Sequence, residues 1–355
     1  MRYPASTTSS SMVKQSFNSP EGEITWITIR NKNGASVTLS NLGAGIINVI
    51  VPDRDGAMVN VALGYKSPLD YIQDGPNCGK TPGRFANRIA RGIFSLNGVE
   101  YHLPVNLPPN HLHGGPQGFA NKFWTIESAS DSEVVFSLIS PDGDMGYPGT
   151  VSVKAVYRWT DLNTLEVTYS AVTDKPTVVN LTNHAYWNLN GAGTALNHTL
   201  QMNASEFLDT DSFLTPTGTA SPVSGTPMDF TEPKVIGRDM NADFAPLKWA
   251  KGYDHCMLID NADPHTIRPV AQLTADISGI TMRVESNAPA AMLYTGNWLE
   301  GAPLDRSGNQ MRDYSGVAIE CQSLPDAPNH PGFPSTTLLP GQTYVNTILF
   351  QFGTI

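Results

Sequence analysis

From Val151 to Trp159 the chain alternates between apolar and polar residues. Val151, Val153, Ala155, Tyr157 and Trp159 interleave with Ser152, Lys154, Arg158 and Thr160. A period of two puts successive side chains on opposite faces of a strand, so this segment reads as a strand with one buried face. Leu165, Val167, Tyr169 and Ala171 repeat the pattern after Asp161-Leu162-Asn163, which predicts a hairpin. Ile24 to Ile29, Glu133 to Ile139, Ile280 to Val284 and Tyr344 to Phe352 behave in the same way. Between such runs stand the turn dipeptides Asp55-Gly56, Asn97-Gly98, Asp142-Gly143 and Pro340-Gly341. A helical period is confined to short pieces, such as Ser67 to Ile72. No repeat and no linker-like shift in composition interrupts the chain. The prediction is an all-β protein with few short helices: one large antiparallel sandwich over residues 21–355, preceded by a loose N-terminal arm over residues 1–20.

Composition narrows the function. Gly and Pro number 31 and 27 in 355 residues while only 15% are charged, the opposite of a coiled coil or helical array. An apolar share of 40% is too high for a disordered chain. The net charge of −10, with no cluster of Lys and Arg, argues against nucleic acid and anionic membrane as partners. A neutral small molecule fits these numbers best. Cys78, Cys256 and Cys321 lie far apart and form no CxxC pair, so no disulfide framework is expected. The opening run is rich in Ser and Thr and lacks the apolar stretch of a signal peptide, which predicts a cytoplasmic protein.

Four segments depart from plain alternation. Gly83-Arg84-Phe85-Ala86-Asn87-Arg88-Ile89 carries two guanidiniums four residues apart. Asn110-His111-Leu112-His113-Gly114-Gly115 places two imidazoles two apart, on one face if the segment is a strand. Such a pair suggests a metal site, but the acidic third ligand of a cupin-like centre is missing from the following residues. Asn180 to Leu189 reads as a strand with Asn180, Thr182, His184 and Tyr186 on one polar face, either solvated or lining a cleft. In Gly316 to Gln322, Val317, Ile319 and Cys321 form a core face and Glu320 looks the other way among small residues. Room above that carboxylate suits a ligand, and partial desolvation raises a carboxyl towards the range of a useful base. A salt-bridged structural Glu fits the same pattern.

Taken together, GRFANRI, LHGG with Gly118-Phe119 and Trp124, NHAYWNL, Gly252-Tyr253-Asp254-His255, Tyr294-Thr295-Gly296-Asn297 and AIECQSLPDAPN resemble the aldose 1-epimerase family, in order from about Ile24 to Phe352. The resemblance implies a galactose mutarotase-like β-sandwich with an open cleft, without metal or cofactor. It implies Glu320 as general base and His184 as general acid. Arg88, His113 and Asp254 become sugar-binding residues, with Asn87 beside them. It leaves Arg84 structural and His111 without a role. Met292 stands where the family often has Gln, so one amide contact to a sugar hydroxyl is expected to be missing. The implied activity interconverts the α and β anomers of free galactose and glucose, in a monomer or weak homodimer. A hexose-6-phosphate epimerase, which needs a basic cluster for the phosphate, and a non-catalytic sugar-binding protein are the alternatives. A hydrolase would need a second carboxylic acid, for which Asp254 is the candidate.

Overall fold

The hairpin signalled by the alternation is the centre of the largest sheet. In the computed structural model, which describes residues 11–355, Val151–Trp159 and Thr164–Thr173 pair antiparallel from Val151 opposite Thr173 to Trp159 opposite Leu165. Val151, Val153, Ala155, Tyr157 and Trp159 are buried, while Ser152, Lys154 and Arg158 face solvent. Side chains on one face of the pleat have left water together, which is the source of the sheet's stability. Seven further strands extend this hairpin to nine, among them Glu133–Ser140, Ile280–Ser286 and Tyr344–Thr354.

Two five-stranded sheets complete the main architecture. One runs Ser11–Ser19, Gly22–Arg30, Ser36–Ser40, Gly45–Pro52 and Met58–Asn60 in chain order. The other is ordered Pro216–Pro222, Glu206–Thr210, Asp254–Leu258, Ala290–Tyr294 and Ala318–Gln322. One contiguous buried apolar cluster draws on all three large sheets, with Ile27 and Val49, Val153 and Val167, and Leu293 and Ile319 as members. The sheets pack without closing into a barrel. Helix among the described residues is limited to Ala245–Ala250 and short 3₁₀ turns. Ser67 caps one of these, Pro68–Tyr71, where the sequence predicts a helical piece. Asn97 and Gly98 both have positive φ and form a two-residue turn between Ile93–Leu96 and Val99–His102.

The predicted arm is corrected over its second half. Ser11–Ser19 pairs residue for residue with Gly22–Arg30, although its side chains are mostly exposed. Residues 1–10 lie outside the described residues.

Candidate active site

The register of the second five-stranded sheet decides which side chains meet. Directly opposed residues of antiparallel strands point to the same face. Asp254 lies opposite Tyr294 and Tyr294 opposite Ala318; one step on, Cys256 lies opposite Met292 and Met292 opposite Glu320. Asp254, Tyr294 and Glu320 therefore share a face, and all three line a cleft of about 700 Å³. The intervening residues Leu293, Ile319 and Cys321 point into the core, as the alternation requires.

The wall opposite Glu320 is the segment Asn180–Leu189. The sequence predicts a strand here, but the segment is extended without a ladder, with isolated bridges at Asn180 and Trp187. Its polar groups are spent on neighbouring segments instead. Asn180 donates its backbone N–H to the Arg84 carbonyl (3.0 Å) and accepts from the Ala86 N–H (2.7 Å). Its side chain accepts from the Ser323 N–H (2.9 Å) and donates to the Ser323 carbonyl (3.2 Å). The Thr182 hydroxyl donates to the Cys321 carbonyl at 2.8 Å. His184 is held by two backbone bonds, its N–H to the Lys80 carbonyl (2.8 Å) and its carbonyl to the Gly79 N–H (3.0 Å). Asn180 and Thr182 are thus structural ties, whereas His184 and Tyr186 line the cleft. The face predicted from alternation is neither solvated nor wholly cleft.

His184 Nε2 stands 3.5 Å from Glu320 Oε1, and both side chains are buried. Tyr186 packs on the imidazole at 4.9 Å between ring centroids, and His113 meets it edge-on at 5.3 Å. A tilted aromatic face and an edge-on ring exclude water from the pair while leaving its cleft side open.

The third wall joins the arginine and histidine motifs. Arg88 pairs with Leu112 in a two-residue ladder, and the Asn87 N–H donates to His113 Nδ1 at 3.0 Å. That bond fixes His113 as the tautomer with its proton on Nε2. Arg88 reaches Asp254 at 3.5 Å. Gly114 has φ +83°, and a Cβ there would lie 1.9 Å from the Gly83 carbonyl oxygen, so a glycine is required where the two motifs cross. The two imidazoles do not share a face as predicted. The strand ends at Leu112 and His113 is left-handed (φ 51°), which turns it away from His111. His111 is buried on Tyr147 Oη (2.6 Å) and the Pro104 carbonyl (2.7 Å). Arg84 is buried too, donating to the carbonyls of Pro148 and Gly149 and to Ser140 Oγ.

The electrostatics follow from burial. Desolvation pushes the Glu320 carboxyl well above its ordinary range; the Asp254 charge adds to this and Arg88 opposes it. Desolvation lowers the His184 imidazole to about 4. It also lowers His113, with His184 and Arg88 adding to the effect. Asp254 is raised by burial despite Arg88, because one ion contact at 3.5 Å does not offset the lost water. Burial thus favours the neutral forms of Glu320 and His184, a carboxylic acid beside an imidazole. Passing a proton from that acid to the imidazole would leave the total held by the pair unchanged.

All six predicted residues, Asn87, Arg88, His113, His184, Asp254 and Glu320, line this one cleft. Met292 does not line it. The sequence reading did not single out Trp249 and Trp298, which also line the cleft and are partly exposed. Neither belongs to an alternating run or to a motif. Ligand atoms of His113, His184 and Glu320 lie within 4.8 Å of one another, close enough to surround a metal ion. This trio, not the His111–His113 pair, is the metal-ligand geometry found among the described residues.

An open β-sandwich with one imidazole–carboxylate pair in a polar cleft places the protein among the galactose mutarotase-like folds. Aldose epimerase homologues of known structure superpose on it: one from C. elegans with TM-score 0.86 and 30% identity, covering 93% of this chain and 99% of that one. The galactose 1-epimerase of Lactobacillus acidophilus gives TM-score 0.85 and 31% identity over 97% and 98% of the two chains. The aldose 1-epimerase of Escherichia coli is 38% identical over 92% of this chain and 94% of its own length, and the galactose mutarotase of Homo sapiens 38% over 89% and 91%. The family profile described as aldose 1-epimerase matches residues 25–351. The chain belongs to the aldose 1-epimerase family.

Proposed function

We propose that the protein is an aldose 1-epimerase that interconverts the α and β anomers of free galactose and glucose, with His184 and Glu320 exchanging protons with the sugar. The observation that carries this is the 3.5 Å contact between His184 Nε2 and Glu320 Oε1 at the floor of a polar cleft. Ring opening needs a base at the anomeric hydroxyl and an acid at the ring oxygen. A sugar hydroxyl bonded to Glu320 favours its charged form, so the shared proton moves to His184. Glu320 then takes the proton of the anomeric hydroxyl, the C1–O5 bond breaks as C1=O1 forms, and His184 delivers its proton to O5. Rotation about C1–C2 presents the other carbonyl face. On closure O5 returns its proton to His184 while Glu320 protonates O1; as the product leaves, the proton passes back from His184 to Glu320 and the resting pair is restored.

A neutral sugar offers no charge to grip, and its orientation depends on directed bonds. Arg88 supplies donors, Asp254 acceptors and His113 an Nε2–H, with Asn87 holding His113. Among the described residues Arg88 is the only Lys or Arg lining the cleft, beside Asp70, Asp74, Asp254, Glu300 and Glu320. This acidic lining favours a free sugar over a hexose phosphate, which would meet repulsion rather than a basic cluster. The substrate is thus an uncharged monosaccharide, with no nucleic acid or membrane partner. Burial of all three free cysteines suits a reducing cytoplasm, and no helix among the described residues is long and apolar enough to cross a membrane. The protein acts as a monomer or weak homodimer over a single β-sandwich domain. Polarimetry on fresh α-glucose and α-galactose tests the reading: rotation decays faster than in buffer. Unchanged decay with tight sugar binding would make it a binding protein instead.

A further inference from the structure

The cleft face of the catalytic sheet changes character beneath Glu320. The row Cys256–Met292–Glu320 contains a single charged group. Met292 is buried in a small apolar cluster with Leu208, Cys256, Ala290 and Leu324. Directly opposed side chains on antiparallel strands stand about 4.5–5.5 Å apart at Cβ. Glu320 Oε1 faces His184, whereas Oε2 is buried without a hydrogen-bond partner. A buried carboxylate oxygen normally recruits a donor. A thioether offers none.

We propose that Met292 is a positioning residue of the proton-transfer pair: by standing beside Glu320 and denying its second oxygen a donor, it holds the shared proton on the carboxyl until sugar binds. The inference rests on the reading of Glu320 as the base. The other groups facing Glu320 are His184 and Tyr186 from the Asn180–Leu189 segment, His113 and Arg88 from the crossed motifs, and Asp254 and Tyr294 from the same sheet. None of them donates to Oε2. Burial and the Asp254 charge raise the proton affinity of Glu320, and Met292 leaves that effect unopposed. A base of low proton affinity takes up the anomeric proton poorly; one of high affinity stays protonated until high pH and returns its proton reluctantly. The apolar neighbour therefore sets where the enzyme works.

Met292→Gln has nearly the same length and brings an amide donor to Oε2. A hydrogen bond to a charged group favours ionisation by about one pH unit or more. Difference infrared spectroscopy on the ligand-free protein follows the carbonyl band of the protonated carboxyl, assigned by its loss in Glu320→Gln. In Met292→Gln the band should vanish at a midpoint about one pH unit or more below wild type, and the alkaline limb of kcat/KM should move with it. Met292→Leu, apolar and similar in volume, should keep the wild-type midpoint. Should the glutamine variant not fold, Met292→Ser, which admits a water as donor, should move the midpoint the same way. An unmoved midpoint in a folded donor variant overturns the role of Met292, even with Glu320→Gln inactive. Wild-type turnover in Glu320→Gln overturns the reading of Glu320 itself, whatever the midpoint does.

Discussion

Replacing Glu320 by Gln should move activity and stability in opposite directions. Gln keeps the size of the side chain and its contact with His184, but it cannot accept a proton at neutral pH. Removing a positioned base costs about 10²–10⁴-fold in rate, or about 3–5 kcal/mol of transition-state stabilisation at 1.36 kcal/mol per decade. Sugar should still bind, because Arg88, His113 and Asp254 stand on other segments. Stability follows from the buried carboxyl, held well above its ordinary value of 4.5. Between that value and the folded one, the native state keeps a proton that the unfolded chain has released. Native binding exceeds unfolded binding, so wild-type stability falls as pH rises through the window, by up to about 1.4 kcal/mol per pH unit. Gln carries no such term. The difference in Tm between the variants should therefore shift in favour of Glu320→Gln from about pH 4.5 upward, while both share the contribution of His184. Polarimetric kcat, calorimetric sugar affinity and thermal scans from pH 4 to 9 supply the measurements. A Tm difference independent of pH would refute the protonated carboxyl, and retained turnover would transfer the base to Asp254.

Other outcomes are equally open to measurement. His184→Asn should lose kcat to a similar extent, and the double variant should be little worse than either single one, because the two groups act as a unit; additive losses would show independent roles. The pH–rate profile should be a bell whose acid side falls near His184's value of about 4, as the pair gains a second proton. In Glu320→Gln that acid limb should vanish and the residual rate should rise towards low pH, as imidazolium forms. Dialysis against a strong chelator should leave mutarotation unchanged, and a loss restored by zinc would turn His113, His184 and Glu320 into metal ligands. Gly114→Ala should destabilise the fold by several kcal/mol, since its Cβ would lie 1.9 Å from a backbone oxygen at positive φ. Denaturant titration decides this, and a loss below about 0.5 kcal/mol would mean that the crossing can relax.

Much of the fold is legible in the sequence wherever a strand has one wet and one dry face, as at Val151–Trp159. Ser11–Ser19 escapes because nearly all its side chains are exposed, and no period can emerge from a ribbon without a buried face. Asn180–Leu189 is extended, as its residues suggest, but periodicity does not say that its backbone groups bond to Arg84, Ala86, Gly79 and Lys80 rather than to a ladder. The site residues were identifiable from short motifs, yet their assembly depends on register and on the positive φ of His113. The proton inventory of Glu320 and His184 was not legible, because it depends on burial on all sides. Met292 drew attention as a departure from the family pattern. Only the register shows that it stands directly opposite Glu320.

The ties of Asn180 have a consequence for how the enzyme comes into being. One amide side chain and its backbone bind the arginine motif near residue 84 to the loop after Glu320, four residues before His184 itself. Groups so distant along the chain meet only after most loop-closure entropy has been overcome. Catalytic competence should therefore return late in refolding, after strand content and the burial of Trp159 are established. A nick in the connection between Asn180 and Ser323 that leaves the sheets intact would abolish turnover before it abolished structure.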